Sequence, residues 1–218
     1  MAGKFITLEG IDGAGKSSHL TFIASCIAKL GYAVHSTREP GGTPLGEKLR
    51  TLLLNEKMHS DTEALLMFAS RREQLLETIE PVLLKGAWVV CDRYTDSTYA
   101  YQCGGRGLPE ARVATLENWV HAGLQPDLTF LFDAPLEVAR DRLAKGTVNP
   151  DKFEREQSEF FAKVRLAYLQ RAEQYPERIK VINSARSLVE IQSELAAYIG
   201  NLAASHATPQ PTAHASTP

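Results

Sequence analysis

The chain has 218 residues and carries 24 Lys and Arg against 26 Asp and Glu, a formal net charge of −2. That balance excludes a field strong enough to grip nucleic acid or an anionic membrane, so any basic site must be local. The apolar fraction of 44% suits an ordinary soluble protein, and no apolar run approaches the length of a membrane span. Cys26, Cys91 and Cys103 are odd in number and lack C-x-x-C spacing, which reads as reduced thiols in a cytoplasmic protein.

In chain order, a strand at residues 5–8 precedes the stretch Gly10-Ile-Asp-Gly-Ala-Gly-Lys-Ser17, which leads into a helix at 18–30 capped by Gly31. A strand at 33–36 and the turn Thr37-Arg-Glu-Pro-Gly-Gly-Thr43 follow. Helices are expected at 45–54 and 61–84, the second broken or restarted by Pro81. A strand at 88–91 ends in Asp92 and Arg93, and a helix at 109–122 ends before Gly123. Then come a strand at 128–132, a helix at 136–144, a polar turn-rich loop near 145–155 that suits a lid, and a helix at 154–175. A strand at 179–182 and a helix at 188–202 complete one domain over 1–204, and 205–218 reads as a disordered tail. Strands alternating with helices predict an α/β fold with a mainly parallel sheet covered on both faces.

The chemistry concentrates in 10–18. Gly10, Gly13 and Gly15 let the backbone wrap a polyphosphate, with N–H groups of Ile11, Asp12, Ala14 and Ser18 available to its oxygens. Lys16 can reach the β- and γ-phosphates and the Ser17 hydroxyl can ligate Mg²⁺. Asp92 at a strand end suits a carboxylate near that ion, and Arg93 suits a phosphate dianion. Arg38 and Glu39, at the entrance of the second turn, are candidates for acceptor or Mg²⁺ contacts. Asp12 is either an orienter of an acceptor sugar or a solvent-facing loop acid. Phe68 and Arg72, four apart on a helix, are either a base-stacking pair or a core ring beside a solvent arginine. An N-K-x-D guanine-reading motif, which a GTPase would need, is absent from the sequence.

Four segments together resemble bacterial thymidylate kinases: 9–17, 37–43, Phe68-x-x-x-Arg72, and Asp92-Arg-Tyr-x-x-Ser-x-x-Ala-Tyr-Gln102. The resemblance covers residues 4–202 and implies a P-loop fold with a five-stranded parallel sheet and a short lid. It implies transfer of the γ-phosphoryl of ATP to dTMP with Mg²⁺, by a homodimer. Phe68 would stack on thymine, Arg72 would bond its carbonyl, and Thr98 would approach the pyrimidine edge. Arg93 would hold the acceptor phosphate, Asp12 would contact the 3′-hydroxyl side, and Tyr101 would crowd the 2′ position. Ser97 and Gln102 would belong to the same acceptor site, and Ser17, Glu39 and Asp92 would form the metal set. The P-loop here lacks the arginine that one subgroup carries, so the resemblance moves catalytic charge to Arg142 and the lid Lys152, with Lys145 nearby.

Overall fold

The computed structural model describes residues 3–146, 151–154 and 156–207. Five parallel strands form one sheet in the order β2-β3-β1-β4-β5: β1 (Phe5–Glu9), β2 (Val34–Arg38), β3 (Trp88–Asp92), β4 (Leu128–Asp133) and β5 (Ile179–Asn183). The inner strands are near-continuous apolar runs because both their faces are covered. Ile6 and Leu8 enter one apolar cluster with residues of α1 (Ser17–Lys29) and α9 (Leu188–Ala207). Phe5, Val89 and Cys91 enter a second cluster with α3 (Ser60–Gln74) and α6 (Glu110–His121). The buried Thr7 and Thr129 hydroxyls satisfy each other across β1 and β4 at 2.7 Å.

Each strand ends in a polar residue: Glu9, Arg38, Asp92, Asp133 and Asn183. These residues stand at the carboxyl edge, where an open α/β sheet binds ligands. β1 lies between β3 and β4, so the loop after β1 leaves at the point where strand order reverses.

Two wide helical turns depart from the expected pattern. α3 continues through a π-helical segment, Leu75–Ile79, into α4 (Glu80–Leu84), so Pro81 neither breaks nor restarts the path. The wider segment covers the turn where a proline ring would collide with the Glu77 carbonyl, and Pro81 sits in the first turn of α4. A second π-helical segment, Tyr99–Gly105, extends α5 (Thr95–Thr98) and packs on α8 (Ser158–Gln174). Its tyrosine- and glycine-rich sequence has no 3.6 period, which is why it went unpredicted. A Cβ on Gly104 would stand 2.5 Å from the Ala167 Cβ, so glycine permits the close approach.

α2 (Pro44–Asn55) is capped by Thr43, whose side chain accepts from the Gly46 N–H, and α7 (Leu136–Gly146) extends beyond the expected 144. α9 extends to Ala207 rather than 202, so residues 205–207 belong to this helix and not to a tail. His206 explains the extension, with its ring 5.7 Å from Tyr32 and 6.1 Å from Trp88. Residues 208–218 of the expected tail and 147–150 and 155 of the expected lid lie outside the described residues.

Buried Asp96 ties three elements together. It accepts from Arg171 on α8 at 2.7 Å and from Arg178, just before β5, at 2.7 and 3.0 Å. We predict that Asp96→Ala, which strands two mostly buried cations, lowers stability by about 3–5 kcal/mol. A denaturant midpoint within error of wild type would refute this.

Candidate active site

The P-loop wraps because its glycines accept dihedrals that side chains resist: φ is 136° at Gly10, 79° at Gly13 and 97° at Gly15. Gly13 is also fixed by space, since a Cβ there would overlap the Ala139 carbonyl oxygen of α7. Lys16 bridges the loop, donating to the Gly10 carbonyl at 3.0 Å and the Ile11 carbonyl at 3.2 Å. Burial, then the Arg93 charge, pushes its ammonium down to about 8. A polyphosphate would reverse that shift and exchange the two carbonyls for stronger acceptors. Gly13, Gly15, Lys16, Ser17 and Ser18 line a cleft of about 660 Å³ that also meets Arg38, Asp92 and Arg142. Ile11 and Ala14 are buried beneath it in the core.

A second cavity of about 100 Å³ adjoins it, and Asp12, Glu39, Arg50, Arg93 and Asp151 line both. The junction is a dense polar knot. Arg93 Nη2 donates to Asp12 at 2.6 Å and to the Tyr101 hydroxyl at 3.1 Å, while Nη1 reaches Ser97 at 3.2 Å and Tyr168 at 3.1 Å. Tyr101 donates in turn to Asp12 at 2.8 Å. Burial raises the Asp12 pKa, but the charges of Arg93 and Lys16 outweigh it and hold the carboxyl at about 2. Arg93 takes φ 74°, a conformation unusual for a side-chain-bearing residue, and its N–H bonds the Leu8 carbonyl at 2.9 Å.

Beneath this knot lies Glu9, wholly buried at the end of β1. It accepts from the Tyr94 N–H at 2.7 Å, Ser97 at 2.6 Å and Tyr168 at 2.9 Å. Burial, reinforced by Asp96, pushes its carboxyl up to about 7.

The α3 face that meets the second cavity is one residue away from expectation. Met67 and Arg71 line the cavity. Phe68 is 2% exposed in the second apolar cluster, its ring 4.6 Å from the Arg71 guanidinium carbon. Arg72 turns away, donating to the Val120 carbonyl at 3.0 Å, with 42% of its side chain exposed. The core-ring alternative therefore describes Phe68 and Arg72. Arg71 Nε bonds Glu39 at 2.8 Å and Nη2 bonds Thr98 at 3.2 Å, while buried Nη1 has no partner among the described residues.

Lys152 also departs from expectation. It is not part of the 660 Å³ cleft; it pairs with buried Glu63 at 2.7 Å and reaches the Glu56 carbonyl at 3.3 Å. Lys145 is exposed at the end of α7. Arg142 does stand at the P-loop: a Cβ on Gly15 would lie 3.5 Å from its Nη1, and its Nη2 bonds the Ser184 carbonyl at 2.9 Å. Arg38 lines the cleft edge, half-exposed and paired with Glu47 at 2.9 Å.

Residues 8–195 match the family model described as thymidylate kinase. The chain belongs to the thymidylate kinase family. It is 59% identical to a thymidylate kinase of Methylobacillus flagellatus over 89% of this chain and 96% of the relative. It is 58% identical to one of Cupriavidus metallidurans over 93% and 100%, and 56% identical to one of Bordetella petrii over 92% and 97%. The chain is accordingly a transferase of the nucleoside monophosphate kinase class.

Thymidylate kinases use ATP with Mg²⁺, and the residues present fit that ion. Asp92 Oδ1 and Glu39 Oε1 are buried without hydrogen-bond partners among the described residues, and both residues line the P-loop cleft with Ser17. Among the described residues there is no cluster of three His, Cys, Asp or Glu with metal-binding geometry. Mg²⁺ keeps waters and phosphate oxygens in its shell, so it asks only a few oxygen ligands of the protein.

The sequence reading missed Glu9, Arg50, Met67, Arg71 and Tyr168. Glu9 carried one signal, an acid closing an apolar strand. Tyr168 carried none, being remote in the chain from every partner in the knot. Glu9 yields a pH prediction. Its folded pKa of about 7 lies above the ordinary 4.5, so the native state holds this proton more tightly. Its stabilising contribution is full below pH 4.5 and is lost as pH rises through about 7. Urea titrations across that window should show wild type losing stability relative to Glu9→Gln. A pH-independent difference would contradict the assignment.

Proposed function

We propose that this protein phosphorylates dTMP to dTDP with ATP as donor, a step toward dTTP, and that its two cavities are the donor and acceptor halves of one site. One observation carries the reading: Asp12 and Arg93, bonded at 2.6 Å, line both cavities. Phosphoryl transfer through a loose transition state needs positioning and charge neutralisation more than an acid–base pair.

The P-loop glycines, Lys16 and Ser18 hold the ATP phosphates, with Arg142 supplying the guanidinium that the loop itself lacks. Ser17, Asp92 and Glu39 would hold Mg²⁺, which would supply neutralisation of phosphate charge. Arg93, fixed on four sides, presents its charge to the dTMP phosphate; Arg50, which bonds the Pro40 carbonyl at 2.9 Å, flanks it. Tyr101, held by Asp12 and Arg93, crowds the sugar where a 2′-hydroxyl would project. Asp12 faces the 3′-hydroxyl side. Met67 and Phe153 give the base apolar walls, and the unpaired Arg71 Nη1 donates to a base carbonyl. Thr98 keeps the Arg71 guanidinium in place. Lys152, committed to Glu63, supports the acceptor wall rather than the transferring phosphoryl group.

A homodimer seam along α3 and α6 is supported by the exposed Leu65 and Trp119 on these two mutually packed helices, with Leu76 of the following π-helical segment beside them in sequence. Trp119 alone is 78% exposed. Among the described residues no helix is long and apolar enough to cross a membrane. Three free cysteines suit a reducing cytoplasm, where ATP and Mg²⁺ are abundant.

The reaction is tested by ATP- and Mg²⁺-dependent formation of dTDP, compared with dUMP, dCMP and thymidine as acceptors. No dTDP above background would refute it. Arg71→Ala should lower kcat/KM for dTMP at least about a hundredfold, whereas Arg72→Ala should stay within about threefold; the reverse order would restore the other face. Trp119→Glu should halve the mass measured by light scattering, and an unchanged dimer mass would move the interface elsewhere.

A further inference from the structure

Glu63 lies in the first turn of α3, is 2% exposed, and lines neither cavity. Its Oε1 accepts from Gln102 Nε2 at 2.8 Å and its Oε2 from Lys152 Nζ at 2.7 Å, with Arg106 Nε 3.8 Å from Oε1. We propose that Glu63 sets the base preference of the acceptor cavity by deciding which end of the Gln102 amide faces it. This rests on the reading of that cavity as the dTMP site.

A carboxylate beside cations accepts hydrogen bonds and does not donate them. Gln102 must therefore turn its NH₂ toward Glu63, since the flipped amide would set oxygen against oxygen. The amide oxygen takes no hydrogen bond from the described residues, and Gln102 lines the cavity. Gln102 and Arg71 both line the cavity, so its wall has an acceptor in Gln102 Oε1 and a donor in Arg71 Nη1, which has no partner among the described residues. A 2,4-dioxopyrimidine shows the complementary edge, an N3–H donor next to a carbonyl. A 4-aminopyrimidine shows the opposite edge, a bare N3 next to an amine, and leaves both protein groups opposed. Such buried mismatches discriminate strongly. Glu63 is a positioning residue: it touches no substrate and acts through Gln102. Lys152 reinforces it, holding the second carboxylate oxygen from the Asp151–Glu154 segment, whose Phe153 walls the same cavity.

The test is the ratio of kcat/KM for dTMP to that for dCMP. A glutamine at position 63 can donate, which frees the Gln102 amide to turn, so Glu63→Gln should lower the ratio at least about tenfold. Glu63→Asp accepts only, so it should raise KM for dTMP yet keep the ratio within about threefold. An unchanged ratio in Glu63→Gln, or an equal fall in both variants, would overturn the proposal. Should either variant fail to fold, wild-type protein with ¹⁵N-labelled glutamine side chains decides the orientation. The Gln102 NH₂ protons should exchange slowly, both free and with dTMP bound; rapid exchange in either state would overturn it. Failure of wild type to make dTDP would instead refute the function itself.

Discussion

The ion pair between Arg93 and Asp12 is the constraint on which the site depends. Arg93 leaves β3 with a positive φ, and Asp12 lies in the loop after β1, so the pair bridges adjacent strands at the switch point. Both side chains are mostly withdrawn from solvent, at 16% and 25% exposed. Burial penalises both, and their mutual attraction at 2.6 Å, with Tyr101, Ser97 and Tyr168 filling the other hydrogen-bonding positions, offsets that penalty. A guanidinium held by four partners has little rotamer freedom left to lose, which suits the proposed role of presenting its charge to an acceptor phosphate without reorganising. Glu9 acts below this pair. Its bonds to Ser97 and Tyr168, both of which also bond Arg93, link the end of β1 to α8.

Much of the wall of the second cavity is built on α3, α5 and the π-helical segment that extends α5. Tyr99–Gly105 carries both Tyr101 and Gln102, one bonded to the P-loop acid and the other to Glu63 of α3. An ordinary α-helical continuation would turn these side chains by a different angle per residue. The glycines at its end let α8 come close enough for Tyr168 to enter the knot.

The offset between Phe68/Arg72 and Met67/Arg71 shows where sequence reading reaches its limit. Both pairs have i, i+4 spacing, so periodicity places each on a shared face and is silent about which face looks into the cavity. Packing decides. Phe68 fits between Arg71 and the buried His121 ring, 5.9 Å away, which leaves Met67 and Arg71 facing the cavity and Arg72 turned to the Val120 carbonyl. Lys152 taught the same lesson through charge: a lysine in a lid-like loop reads as a phosphate ligand until a buried carboxylate claims it.

The sequence by itself determined the parallel α/β sheet, the P-loop and its Lys16 and Ser17, and the acid-plus-arginine end of β3. These are local signals, because strand apolarity, glycine freedom and the spacing of a phosphate cradle are all written within a few consecutive residues. Only the tertiary structure decided the rotation of α3, the extension of α9 through His206, the π-helical path of Tyr99–Gly105, and the partnerships of Glu9, Glu63, Lys152 and Tyr168. Each depends on burial and on charges brought together from distant segments. A side chain's partner, and with it the direction in which its hydrogen bonds run, is fixed by three-dimensional proximity that no local spacing encodes.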